Sequence, residues 1–152
     1  MKPPTLLALL LLAALPACGG GKATKSEPPR HYAVGVAAEA GANPDGEGRA
    51  SPVVVRVYAV DDAAEFMAAD FQGLYAAERG ALPAGWRWRH ELLLAPGATQ
   101  SLDADLPPPA AQLCALAAFR DIRASRWRAC APLPSPAAPL RVQVGATAIE
   151  VQ

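Results

Sequence analysis

Between Glu39 and Asp62 the chain reads EAGANPDGEGRASP and then VVVRVYAVDD, two halves that no single element can hold. The first half cannot be regular structure. Asn43-Pro44 and Asp45-Gly46 are turn dipeptides, Pro44 disfavours helical backbone at Asn43, and Gly41, Gly46 and Gly48 accept positive φ at low steric cost. The second half is β-branched and bounded by Pro52 and the Asp61-Asp62 pair, the strongest strand signal in the chain. Alternation puts Val53, Val55, Val57 and Ala59 on one face, with Arg56 and Tyr58 on the other. The product is a polar loop of about a dozen residues pinned to a core strand. Loops of that length inside compact domains are uncommon and often functional.

The other segments fall around this pair. Tyr32, Val34, Val36 and Ala38 alternate with small residues and predict a half-buried first strand. That strand, the loop and Val53–Val60 are expected to form an opening pair of neighbours. Residues 62–79 break the period of two. Asp62 and Glu65 resemble a capping box, Ala63, Phe66, Met67, Phe71, Leu74 and Tyr75 suit a helical face, and Asp70 interrupts it. One broken helix or two is expected there. Trp86 to Leu94 predicts a strand with both tryptophans inward and arginine stems at the rim. Strands over 99–106, 113–119 and 127–133 follow, with Pro107-Pro108-Pro109 a stiff connection. Arg120, Arg123, Arg126 and Arg128 crowd the turn between the last two, usually a solvated feature but also a surface that suits an acidic partner or lipid headgroups. At the C-terminus, a two-residue Gly145-Ala146 turn would set Leu140, Val142 and Val144 opposite Val151, Ile149 and Thr147, with Arg141 facing Glu150. Sixteen prolines and twelve glycines favour such a turn-rich, mainly β domain of about eight strands over a helical bundle.

Residues 1–17 are read as a targeting segment. Lys2 precedes an apolar run from Leu6 to Leu15, too short to span a bilayer, and Leu15-Pro16-Ala17-Cys18 is a lipobox. Cys18 would become the lipidated N-terminus; several acyl chains anchor stably where one does not. Gly19 follows in place of the aspartate that retains lipoproteins in the inner membrane, so the expected place is the outer membrane, facing the periplasm. Residues 18–30 read as a flexible Gly-, Lys-, Ser- and Pro-rich tether, and 31–152 as the β domain.

Lys+Arg and Asp+Glu number 14 each, and loss of the leader removes Lys2 alone, leaving a charge of −1. A general polyanion-binding role is disfavoured, and no nucleic-acid partner is expected. With Cys18 lipidated, Cys114 and Cys130 remain as an even pair on two strands expected to be neighbours. A disulfide in the oxidising periplasm and two free buried thiols are the competing readings. His31 and His90 have no ligand spacing, and no nucleophile motif or phosphate-binding loop is present. Asn43, Asp45 and Glu47 mimic the start of a calcium loop, but its twelfth position is Val54. No metal, cofactor or catalytic residue is predicted.

Asn43-Pro44-Asp45 followed by Gly48-Arg49, Ser51-Pro52, Val53 to Val55, Arg56 and Tyr58 resembles the outer-membrane lipoproteins of the type VI secretion system, the TssJ (VasD/SciN) family. Phe66, Asp70-Phe71, Leu74, Leu94 to Gly97, Ala118 to Asp121 and Trp127-Arg128 extend the likeness in order, over residues 31–152. Ala50 departs from it, standing where proline is expected, which leaves the entry to the strand less rigid. The resemblance implies a transthyretin-like β-sandwich with a small helical insertion after the second strand, and no enzymatic activity. It also implies binding to the periplasmic C-terminal part of the inner-membrane subunit TssM, linking that complex to the outer membrane. The partner-binding loop would be Gly41, Asn43, Pro44, Asp45, Gly46, Glu47, Gly48 and Arg49. Asn43 and Asp45 suit turn-shaping as well as contact, whereas Glu47 and Arg49 suit contact. A periplasmic lipoprotein holding a peptide or carbohydrate between sheet and helices is the competing reading; Trp86 and Trp88 on the solvent side of a cleft would favour it.

Overall fold

The computed structural model describes residues 27–76, 81–136 and 138–152. Cys18, the leader, most of the tether and the end of the expected helical insertion lie outside the described residues.

Among the described residues, eight strands form two four-stranded sheets. One has the order β4-β1-β7-β8, built from Thr99–Leu106, Arg30–Ala38, Leu140–Val144 and Ile149–Val151. The other has the order β3-β2-β5-β6, from Trp86–Leu94, Val53–Val60, Gln112–Ala117 and Arg128–Pro132. This is the mainly β sandwich expected, and α1 (Ala64–Ala68) and α2 (Phe71–Ala76) are its only helices among the described residues.

The opening pair is not a pair. β1 lies between β4 and β7, and β2 between β3 and β5, so the two strands face each other across the sandwich. Both present alternating apolar faces to the interior, Tyr32, Val34 and Val36 from β1 and Val53, Val55 and Val57 from β2, all fully buried. Alternation specifies a buried face but not which sheet holds the strand. The long loop therefore crosses from sheet to sheet over one end of the sandwich. The chain enters β1 at Arg30, at the opposite end.

β2 is also buried on its outer face. Tyr58 meets Phe66 at 5.4 Å and Trp86 at 5.1 Å between ring centroids, beneath the two short helices. Asp62 Oδ1 accepts the Ala64 amide at 2.9 Å, but the cap position falls on Ala63 and the expected box does not form. Asp70 Oδ1 accepts the Gly73 amide at 2.6 Å, opening the second helix. Arg56, 1% exposed, is tolerated here because Glu91 Oε2 lies 2.5 Å from its Nε and the Tyr75 carbonyl 2.9 Å from Nη1. Its guanidinium also lies over the Tyr75 ring.

The tryptophans do not share a face. A register shift between Ala59 and Val60 sets Trp88 opposite Ala59 and Trp86 opposite Val60, leaving Arg87 as the extra residue. Trp88 packs against the core between the sheets and Trp86 against the outer aromatic cluster. The extra residue, Arg87, reaches Asp61 Oδ1 with its Nε at 2.8 Å.

The C-terminal hairpin also departs from its expected register. Val144 pairs with Ile149, Gln143 with Glu150 and Val142 with Val151, so four residues, not two, turn the chain. Thr147 and Ala148 are drawn away to the β5–β6 connection. The Thr147 carbonyl accepts the Arg126 amide at 2.8 Å, and the Arg126 carbonyl accepts the Ile149 amide at 3.0 Å. The shift of two keeps every side chain on its predicted face but moves Glu150 from Arg141 to Gln143. Glu150 then bonds Arg126, at 2.6 Å.

Candidate functional site

The loop divides at Asp45. Below that point it is built like core: Ala42 is fully buried and Asn43 is 3% exposed. Asn43 takes the left-handed conformation, φ 51°, which asparagine tolerates better than most residues. Its amide works in both directions. Nδ2 donates to the Pro52 carbonyl at 2.8 Å, and Oδ1 accepts the backbone N–H of Arg120, also at 2.8 Å. The first bond closes the loop on its own exit; the second ties it to the β5–β6 connection. The Ser51 amide adds a bond to the Ala42 carbonyl at 3.1 Å.

Above that point Asp45 organises the turn. Its Oδ1 accepts the amides of Glu47 at 2.9 Å and Arg49 at 3.0 Å, and its Oδ2 accepts Arg49 Nε at 2.9 Å. The Arg49 amide and guanidinium, with a contribution from the charge of Arg120, hold the Asp45 carboxyl below the ordinary carboxylate range. Gly48, at φ 79°, supplies the one backbone conformation of the turn that requires glycine. Gly46, Glu47, Gly48 and Arg49 are exposed, and Arg49 Nη1 lies 3.1 Å from Glu47 Oε2. Gly41 is exposed at the loop's start and Pro44 is half-buried.

Between this loop, the β5–β6 connection and the β7–β8 turn lies an open groove of about 390 Å³. Pro44, Asp45, Phe119, Arg120, Ser125 and Thr147 are among its walls. The structure thus joins the predicted loop residues to segments far apart in sequence. Sequence reasoning missed this role of residues 119–126 and 146–147. The arginine-crowded turn was visible, but nothing in its spacing pointed to Asn43.

Elsewhere, Cys114 and Cys130 are cross-strand partners of β5 and β6, their Cα atoms 4.1 Å apart and their sulfurs joined at 2.01 Å. Trp86 is 9% exposed. Trp88 is half-buried and stacks on His90. No group of three or more metal-ligating side chains occurs among the described residues.

Residues 30–147 match the family of type VI secretion lipoproteins (VasD, EvfM, TssJ). The chain belongs to that family. Among solved structures, the lipoprotein is similar to the T6SS lipoprotein TssJ1 from Pseudomonas aeruginosa, at 28% identity and a TM-score of 0.72, over 82% of this chain and 96% of that one. Serratia marcescens Lip, a membrane-bound component of the type VI secretion system, shares the fold at 23% identity and a TM-score of 0.71, over 82% and 96%. A chain of the structure described as the T6SS protein TssM C-terminal domain from EAEC also shares it, at 22% identity and a TM-score of 0.64, over 81% and 98%. No curated protein matches the sequence significantly. The family is one of lipoproteins of the type VI secretion system.

Proposed function

We propose that this lipoprotein anchors the type VI membrane complex to the outer membrane, held by lipid on Cys18 and gripping the periplasmic C-terminal part of TssM through the loop from Gly41 to Arg49. It acts without catalysis. The observation that carries the reading is the division of the loop. A base fixed by Asn43 presents an exposed Gly46–Arg49 rim, so the surface offered to a partner is already ordered before binding. The loop lies at the end of β1 opposite Arg30, where the tether enters, so a lipid foot and a docking end would point apart. One chain of like fold comes from a structure described as the TssM C-terminal domain, which supports the choice of partner.

The test must spare the base, because removing Ala42 and Asn43 would damage the fold itself. Replacing residues 46–49 by a Gly-Ser turn in the mature protein, then measuring capture of the TssM periplasmic domain, isolates the rim. Loss of capture with an unchanged melting curve supports the reading; undiminished capture removes the loop from it. For the anchor, Cys18→Ser should move the protein from outer-membrane to soluble periplasmic fractions and abolish palmitate labelling. The ligand-binding alternative draws little from the tryptophans: Trp86, 9% exposed beside Tyr58 and Phe66, lines only a small pocket of about 160 Å³ between sheet and helices, and Trp88 packs on the sandwich core.

A further inference from the structure

We infer that Arg120 is the specificity-determining residue of the groove and that it takes an acidic side chain of the docked partner. The inference rests on the docking reading above and adds to it a residue outside the long loop and a chemistry for what enters.

Most polar groups in and beside the groove are already committed. Asp45 is occupied by two amides and by Arg49. Glu47 lies against Arg49, and Asp121 Oδ1 accepts the Ala124 amide at 3.1 Å. Ser125 Oγ donates to the Ile122 carbonyl at 3.3 Å. The nearby carboxylates are therefore spent on the loops themselves. Arg120 is different: its backbone N–H is fixed on Asn43, while its exposed guanidinium, though its charge acts on Asp45, has no hydrogen bond or ion pair among the described residues. A planar fork of five donors, held at the wall of a groove by a locked backbone, is suited to bidentate recognition of a carboxylate.

Position argues against the other anionic surface nearby, the membrane. The tether enters the sandwich at Arg30, and β1 carries the chain from there to Ala38 before the loop begins. At about 3.3 Å per residue the strand separates the two ends by roughly 26 Å. The groove sits at the far end, with the loop. The locked backbone also separates two roles that are easily confused. Asn43 positions Arg120 through its main chain, so changing the Arg120 side chain leaves that brace in place.

The test measures affinity of the mature lipoprotein for the TssM periplasmic domain as a function of salt. Arg120→Glu is expected to weaken binding by at least tenfold and to flatten its salt dependence, with the melting temperature unchanged. Arg141→Glu, an exposed charge reversal on the outer face of the other sheet, is expected to leave affinity within twofold. A scan converting acidic residues of the TssM domain to lysine should reveal one position that restores binding to Arg120→Glu and weakens it to the wild-type protein. Wild-type affinity in Arg120→Glu would overturn the inference while leaving the docking reading intact. Equal losses in both arginine variants would overturn it in favour of diffuse charge attraction. If the wild-type protein itself does not bind TssM, the docking reading fails, and this inference with it.

Discussion

The base and the rim of the long loop are separated by a few residues and obey different rules. At the base, Asn43 is 3% exposed, occupies a left-handed backbone and spends both ends of its amide on structure. At the rim, Glu47 and Arg49 are solvated and bonded mainly to Asp45 and to each other. An asparagine and a glutamate in one polar stretch look alike as candidate contacts, yet one is a buried bracket and the other an exposed handle. The candidate docking loop is thus half scaffold, and Asn43 belongs to the scaffold half.

The largest expected effect on stability lies outside the loop and calibrates the rest. Replacing Cys114 and Cys130 by alanine opens a cross-link with a sequence separation of 16 residues. Loops of this length are worth about 3 kcal/mol, so the melting temperature should fall by about 10 °C or more. Because the pair lies in the outer cluster beneath the helices, capture of TssM well below the melting point should be unaffected. Lost capture would mean that the groove depends on the body of β5 and β6 and not on its own brace.

Asn43→Ala comes next. It leaves the Arg120 amide and the Pro52 carbonyl without partners and places alanine at a positive φ. The cost should be about 2 kcal/mol or more, read by denaturant unfolding, and partner capture should fall with it. Asn43→Gly separates the two causes, since it removes the hydrogen bonds but relieves the backbone. If Asn43→Ala is as stable as the wild-type protein, the base is not a scaffold and the contrast collapses.

Asp45 stands at the boundary, and pH tests it. Its folded pKa is depressed, so its bonds are fully formed above the unfolded carboxylate value and are lost only as pH falls through the lower folded one. The amide resonances of Glu47 and Arg49 should therefore titrate with a midpoint below 3.8, the carboxyl's unperturbed value. A midpoint at or above that value would mean that the turn is not organised by this carboxylate.

How much of this the sequence disclosed depends on the range of the interaction. Strand positions were legible because alternation is local: the buried faces of β1, β2 and β7 follow from it directly. The split of α1 from α2 was legible because Asp70 interrupts the apolar face and bonds the Gly73 amide. Sheet membership was not, since the same alternating face serves either sheet, and β1 and β2 proved to oppose each other. The C-terminal register failed for a related reason. Gly145-Ala146 allows a tight turn, but Arg126 binds Thr147 and Ile149 and makes the turn longer. At the groove, the loop was legible as a loop from its turn residues, while the partnership of Asn43 with Arg120 spans 77 residues and leaves no trace in local pattern.

The smallest effect on stability is expected at the rim. Glu47→Ala removes a side chain that among the described residues bonds only Arg49, at 3.1 Å, across an exposed gap. Exposed pairs of this kind contribute little, because solvent screens them and two mobile side chains must be ordered to form them. The melting temperature should move by no more than about 3 °C. Arg49→Ala should behave similarly, since the Asp45 carboxylate keeps the backbone amides of Glu47 and of residue 49 itself. What these two variants should change is capture of the partner, with faster dissociation and a fold intact by amide spectra. That pattern is the inverse of the one expected for the cysteine pair, where stability falls and capture stays. If Glu47→Ala and Arg49→Ala alter neither, the rim is ordinary solvated surface, and the search for a contact moves to the wall that carries Arg120.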